Sequence, residues 1–234
     1  MGLDSKHLTL VVPAAGSGSR LGEDIPKPYL TIAGKTILEH TLLKFRDINQ
    51  LREIVISTSD QYLDQTREIA DAVFNTQSVK VIRGGDERQN SVMNALHSAS
   101  GSTDFVAIHD AVRPFVKKTQ IENCLVKLDS EDVDGVVLAV PAKDTIKEIG
   151  SDNLIERTPD RSKVWLAQTP QIFKKEVLMK AYQNAAESGV KGTDDSSLVE
   201  RIGGRVLVVE GDGDNFKITF PLDLRLANIM LSGR

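Results

Sequence analysis

The chain has 234 residues, 40% apolar and 26% charged with only 5% aromatics, so a core must rest on Val, Ile, Leu and Ala. A net charge of −4 argues against a broad nucleic-acid footprint and leaves any polyanion to locally clustered cations. Cys124 is the single cysteine, which excludes an intrachain disulfide and a zinc cluster; with no bilayer-length apolar run and no secretory core, a cytoplasmic enzyme without a membrane partner is expected.

The first predicted element is the apolar strand Leu8–Pro13, and residues 13–30 then read PAAGSGSRLGEDIPKPYL. Ala14, Ala15, Gly16, Gly18 and Gly22 keep bulk away, so successive backbone N–H groups can form a concave anion site. Arg20 and Lys27 bring mobile positive charge over it, Lys27 between Pro26 and Pro28. A dinucleotide-binding turn wants G-x-G-x-x-G opening directly into a helix. Here the third glycine comes one residue late, and the two prolines forbid an immediate long helix. Gly34-Lys35-Thr36 supplies the ending of a P-loop, but Tyr29 stands where its first glycine belongs. A nucleotidyltransferase pattern fits: a Gly-rich loop with an Arg, and a Lys several residues on. A ligand-free turn would need neither Arg20 nor Lys27.

Helical periodicity follows at Ile37, Leu38, Leu42 and Phe45, then a strand at Glu53–Thr58, a helix from Tyr62 to Val73 and a strand at Val79–Arg83. The loop from Gly84 to Arg88 leads through Ser91 into a helix pattern at Val92, Met93, Leu96 and Ala99. Next come a strand at Asp104–His109, a helix at Ile121–Leu128 with Cys124 as a core thiol, and strands at Gly135–Val140 and Arg205–Glu210. This alternation predicts an α/β fold with a doubly wound, mostly parallel sheet, Rossmann-like, as one domain over 1–234. Ligands sit beyond the carboxyl ends of such strands, where the glycine loop, Gly84–Arg88 and His109–Arg113 all begin. Residues 141–162 break the rhythm. Two short extended segments, Thr145–Ile149 and Leu154–Arg157, flank a turn near Gly150–Asn153 and predict a projecting β-arm; the alternative is a surface loop.

Asp110 follows a strand, where one carboxylate suffices for a magnesium ion that takes its other ligands from substrate phosphates and water. A turn-capping role is the alternative. Asp214, three residues before Lys217, is a second candidate ligand or a solvated residue of the Gly211–Asp214 turn. Arg20, Lys27 and Lys217 are suited to neutralising charge around a phosphorus. Arg88 either orients its own loop or pairs with a nearby carboxylate, and Ser91 either faces a ligand or only opens a helix.

Taken in order, these motifs resemble the 2-C-methyl-D-erythritol 4-phosphate cytidylyltransferase family from about Leu8 to about Ile229. They are Pro13-Ala-Ala-Gly-x-Gly-x-Arg20, Pro26-Lys27, Gly84-Gly-Asp-Glu-Arg88 with Ser91, and His109-Asp-Ala-Val-Arg-Pro114. Further on come Asp144-Thr-Ile-Lys147, Arg161 with Trp165, Thr169-Pro-Gln171 and Asp214-Asn-Phe-Lys217. The resemblance implies transfer of a cytidylyl group from CTP to 2-C-methyl-D-erythritol 4-phosphate in the non-mevalonate isoprenoid pathway, with Mg2+ as cofactor and pyrophosphate released. It implies a base-and-ribose pocket of Ala14, Ala15, Gly85, Asp86 and Ser91 beside the phosphate loop of Gly16 and Gly18. It also implies acceptor contacts from Arg113, Thr145, Arg161 and Thr169, and a homodimer in which the arm carries Thr145 and Arg161 to the partner.

Two departures stand out. Pro28 replaces the family's usual Gln, and Val112 with Phe115 gives HDAVRPF, which is similar to ribitol 5-phosphate cytidylyltransferases and keeps that acceptor open. His109 is not required as a base, because a phosphate monoester with a second pKa of about 6 is already a competent nucleophile. A nicotinamide-dependent oxidoreductase and a non-catalytic nucleotide-sensing module are rival classes. NADH binding would favour the first; pyrophosphate release from CTP and an acceptor would exclude the second.

Overall fold

The computed structural model describes residues 2–16 and 25–233. Gly18, Arg20 and Gly22 of the first loop lie outside the described residues. In chain order the strands are β1 (Leu8–Pro13), β2 (Thr31–Ile32), β3 (Lys35–Thr36), β4 (Leu51–Thr58), β5 (Ser78–Arg83) and β6 (Phe105–Ile108). They continue with β7 (Gly135–Pro141), β8 (Glu148–Ile149), β9 (Ile155–Arg157), β10 (Trp165–Lys174) and β11 (Val206–Glu210). The helices are α1 (Ile37–Leu43), α2 (Leu63–Val73), α3 (Arg88–Ser98), α4 (Lys118–Ser130), α5 (Lys175–Ser188), α6 (Asp195–Arg201) and α7 (Pro221–Ser232).

Seven strands make one sheet in the order β11-β7-β10-β6-β1-β4-β5. Neighbours pair in parallel except for β10, which runs antiparallel to both β6 and β7. Period-two alternation sorts the side chains into two layers. Leu8, Leu10 and Val12 of β1 pack with α1 and α4, whereas Val11 joins Val92, Leu178, Tyr182 and Leu198 from α3, α5 and α6 on the other face. Both faces are therefore covered, and β6 (Phe105–Ile108) and the stretches Leu10–Val12 of β1 and Ile54–Ile56 of β4 read as apolar runs for that reason. In α4, Ile121, Cys124, Leu125 and Leu128 share the buried stripe. Burial pushes the Cys124 thiol up to about 12, which makes it an inert core group.

The strand β10 had no counterpart in the sequence-based reading. It carries Pro170 and polar Gln168, Thr169 and Gln171 at its centre, a composition that argues against a central strand. The structure accommodates it through an irregularity: the pairing with β7 shifts between Ala167 and Gln171, and Pro170 falls inside that gap. Gln168, Thr169 and Gln171 are buried and hydrogen-bonded, so their polarity has partners.

β8 and β9 pair antiparallel about Gly150–Asn153, the hairpin expected between residues 141 and 162. Arg157 grips Glu148 through two N–H groups at 2.9 and 2.6 Å. Ile149, Leu154 and Ile155 are 57%, 67% and 61% exposed, unusual for three neighbouring aliphatics. No helix among the described residues is long and apolar enough to cross a membrane.

Candidate active site

A cleft of ≈ 350 Å³ opens at the carboxyl ends of β1, β5 and β6. Its floor is backbone. The Ala14 N–H donates to the Ser57 carbonyl and the Gly84 N–H to the Thr58 carbonyl, both at 2.7 Å, so the loops after β1 and β5 are clamped to β4. Only glycine allows their approach: a Cβ on Gly84 would lie 2.5 Å from the Ala15 Cβ, and one on Gly85 2.3 Å from the Asn90 Cβ. Ser91 is buried and works on its own loop, accepting from the Gly85 N–H at 3.0 Å and donating to the Glu87 carbonyl at 3.1 Å. Ala14, Ala15, Gly16, Gly85, Asp86 and Ser91 thus line one cleft, with charged groups opposite.

Asp110 is the centre of those charges. Its Oδ1 accepts from Arg88 Nε at 3.3 Å, and its Oδ2 from Arg113 Nε at 3.2 Å and Lys217 Nζ at 3.1 Å. Burial alone would push its pKa up; Lys217, Arg88 and Arg113 outweigh that and hold the carboxyl well below the usual carboxylate range. Asp110 is therefore ionised throughout the neutral range. Lys217 reaches it because the Ile218 N–H bonds to the Val112 carbonyl at 3.0 Å, which lays the 215–219 segment across the site. Lys27 enters from the other side and donates to the Thr219 carbonyl at 2.5 Å.

Arg88 answers the question its sequence context left open. Its terminal nitrogens form a two-point grip on Asp195 at 3.0 and 2.7 Å, while Nε turns to Asp110. Asp195 is fully buried at the start of α6 and also accepts from the Tyr182 hydroxyl at 2.5 Å. Burial and the neighbouring carboxylate hold the Tyr182 pKa well above its ordinary value. Neither Asp195 nor Tyr182 was visible as a site-supporting residue in the sequence. The run Thr193-Asp194-Asp195 at a helix start reads as capping, and Asp194 does cap, accepting from the Ser197 N–H at 2.9 Å.

His109 is a latch. Its Nε2 faces the Arg113 carbonyl at 3.0 Å, and a carbonyl only accepts, so that nitrogen carries the proton. Nδ1 is then the acceptor for the Thr169 hydroxyl at 3.1 Å, and the Thr169 oxygen accepts from the Asp110 N–H at 3.0 Å. The neutral ring thereby fixes the backbone of Asp110 through β10. Burial lowers its pKa from 6.5 to about 4. An unfolded His109 takes up a proton near 6.5 that the native ring refuses until about 4, so this contribution is complete above pH 6.5 and is lost as pH falls towards 4. The loss should amount to roughly 3 kcal/mol. Urea unfolding at pH 7 and pH 4.5 checks it: His109→Gln should be less stable at pH 7 and show a smaller drop on acidification. Equal drops in both proteins would assign the acid sensitivity elsewhere.

The remaining expected site residues separate. Arg113 and Thr169 are committed to Asp110, Arg113 also donating to the Asn215 carbonyl at 2.8 Å, and neither lines the cleft. Thr145 and Arg161 are exposed on the arm side, where Arg161 donates to the Lys143 carbonyl at 2.8 Å. Asp214 is not brought to Asp110. It lies in the 211–214 turn, its N–H on Asp212, and lines a different depression beside Phe115 and Lys117. Arg20 and Gly18 fall outside the described residues. Among the described residues no cluster of three or more His, Cys, Asp or Glu could hold a metal, so any cation here would rest on Asp110 and on its substrate.

A doubly wound sheet that gathers a backbone cradle and converging cations at its carboxyl edge places the protein among the nucleotidyltransferases. Comparison with known proteins narrows this. Residues 8–233 match the family model described as 2-C-methyl-D-erythritol 4-phosphate cytidylyltransferase. The enzyme of that name from Geotalea uraniireducens is 44% identical over 228 residues, 96% of this chain and 97% of its own. The structure of 4-diphosphocytidyl-2C-methyl-D-erythritol synthase from Anaerococcus prevotii matches with a TM-score of 0.87 at 29% identity, over 98% of this chain and 97% of the other. That of Francisella tularensis 2-C-methyl-D-erythritol 4-phosphate cytidylyltransferase matches with a TM-score of 0.81 at 34% identity, over 95% and 99%. The chain belongs to the 2-C-methyl-D-erythritol 4-phosphate cytidylyltransferase family. The HDAVRPF wording is accounted for by packing: Val112 joins Ile32, Ile37 and Ile218 in a third apolar cluster, and Phe115 rests on Phe216 with ring centres 5.0 Å apart. The ribitol alternative is not favoured.

Proposed function

We propose that the cleft performs the family's reaction as a magnesium-dependent, cytoplasmic homodimer in which 1–234 is one catalytic domain and 141–162 its dimerisation arm. The protein is a cytidylyltransferase that transfers a cytidylyl group to 2-C-methyl-D-erythritol 4-phosphate in isoprenoid biosynthesis. The observation that carries the residue-level reading is that Lys27, Lys217 and Asp110 line one cleft with the backbone floor of residues 14–16 and 85.

In this reading the floor holds the CTP phosphates and Gly85 and Asp86 face the base. The acceptor phosphate is its own nucleophile, so the protein's work is alignment and charge. Lys27 and Lys217 of the cleft, with Arg20 of the first loop, meet the negative charge that grows at the α-phosphorus. Asp110 would hold Mg2+, and a single carboxylate suits an ion that completes its shell with phosphate oxygens and water. When bound, the ion supplies charge neutralisation between the phosphates. The arm, with its exposed Ile149, Leu154 and Ile155, would lie on a second subunit and deliver Thr145 and Arg161 to that subunit's acceptor.

Pyrophosphate release is the test, with CTP or UTP against 2-C-methyl-D-erythritol 4-phosphate and ribitol 5-phosphate. CTP with the erythritol acceptor should be turned over best. Fixed backbone acceptors left unpaired by uracil cost roughly 1–3 kcal/mol, so kcat/KM with UTP should fall about 5- to 150-fold. Equal use of both nucleotides would overturn the base pocket. Preference for ribitol 5-phosphate would overturn the acceptor.

A further inference from the structure

We propose that Asn215 is a positioning residue for Lys217, held by Gln168 and Thr169 from the irregular centre of β10. The proposal rests on the reading that Lys217 meets charge at the phosphorus. Lys217 leaves a stretch with no helix or strand, so its aim depends on how the backbone to either side is tied down. Downstream the tie is the Ile218 N–H on the Val112 carbonyl at 3.0 Å. Upstream it is Asn215, two residues before the lysine and fully buried. Its Nδ2 donates to the Thr169 carbonyl at 2.9 Å and to Gln168 Oε1 at 3.2 Å. Gln168 in turn donates from Nε2 to the Asp212 carbonyl at 2.9 Å, so it grips the same turn at two points. A carbonyl only accepts, which fixes the orientation of both amides. Asn215 Oδ1 has no hydrogen-bond partner among the described residues, so the donor end alone holds the segment. The interruption in β10 makes this possible: Thr169 takes no part in the pairing with β6 or β7, and its carbonyl is open to Asn215. The motifs Thr169-Pro-Gln171 and Asp214-Asn-Phe-Lys217 are thereby two halves of one clamp, joined across 46 positions.

Asn215→Ala tests this, since it removes the donor and leaves in place the Asn215 backbone carbonyl that accepts from Arg113 at 2.8 Å. The single-turnover rate of pyrophosphate release at high enzyme concentration should fall by about 10- to 100-fold, the scale on which a displacement of about 1 Å acts. A double-mutant cycle decides between aiming and mere support. In a Lys217→Ala background, adding Asn215→Ala should cost less than about threefold more, because the group it aims is already gone. A merely structural role predicts a similar loss in both backgrounds, and that result overturns the proposal. So does an Asn215→Ala rate that stays near wild type. If Asn215→Ala does not fold, Gly211→Ala displaces the clamp without removing any polar group. The Gly211 N–H donates to the Ala139 carbonyl at 2.8 Å, and a Cβ there would lie 2.6 Å from Gln168 Oε1, so the new methyl must push that amide aside. The same loss, and the same absence of further loss in the Lys217→Ala background, is then required. Lys217→Ala alone separates this inference from the reading beneath it. A rate within a few-fold of wild type there rejects Lys217 as a charge-meeting group, and the clamp's purpose with it. A large loss there, with an additive loss from Asn215→Ala, rejects only the role of Asn215.

Discussion

Lys27→Ala is expected to lower kcat by about 10²–10³-fold, the loss of roughly 2.7–4 kcal/mol that follows removal of a group aimed at developing charge. The expectation rests on how this lysine is mounted. Pro26 and Pro28 restrict the backbone on either side, and Lys27–Tyr29 form a single tight turn. Tyr29 is the anchor. Its hydroxyl lies between Thr58 at 2.5 Å and Thr66 at 2.8 Å, and its ring stacks on Tyr62 with centres 4.2 Å apart. The Pro28 that departs from the family's usual Gln is buried in the same turn. The mounting therefore remains when the ammonium is removed, and the thermal midpoint should move by only a few degrees. Single-turnover rates with saturating CTP and acceptor, beside circular dichroism of the variant, decide the matter. Activity within a few-fold of wild type would make Lys27 a structural support rather than a catalytic group.

Much of this mounting was legible in the sequence, and the reasons are physical. Strands β1, β4, β6 and β7 were readable because burial on both faces favours apolar residues, and the edge strands β5 and β11 because they keep a high β-branched content although each is largely open to solvent. The glycines at 84 and 85 and the prolines about Lys27 signal backbone constraints that no other residues satisfy as well. What stayed hidden depends on distant partners. β10 is a strand only because β6 and β7 flank it and because a pairing shift accommodates Pro170. Asp195 meets Arg88 across 107 positions, and no local pattern announces that. Asp214 and Lys217 are three residues apart, yet the turn sends only Lys217 to Asp110. Side-chain direction leaving an irregular loop has no periodicity to read.

The last expectation concerns two subunits. Thr145 and Arg161 are absent from the lining of this chain's own cleft, and the hairpin that lies between them exposes apolar side chains to solvent. If the arm serves a partner's site, Lys27→Ala and Arg161→Ala are each nearly inactive alone and recover activity when mixed. In a mixed dimer one site collects both lesions, while the other joins an intact Lys27 to an intact Arg161. Random two-fold pairing makes about half the dimers mixed, each with one working site, so recovery should approach about a quarter of wild-type activity. Unfolding and refolding the variants together ensures exchange, and differently tagged chains report it. Exchange without recovery would mean that the arm serves its own subunit. Substantial activity in Arg161→Ala alone would remove Arg161 from the acceptor site altogether. Recovery near a quarter would place the two residues in one site built from two chains, because subunits with self-contained sites cannot complement each other by pairing.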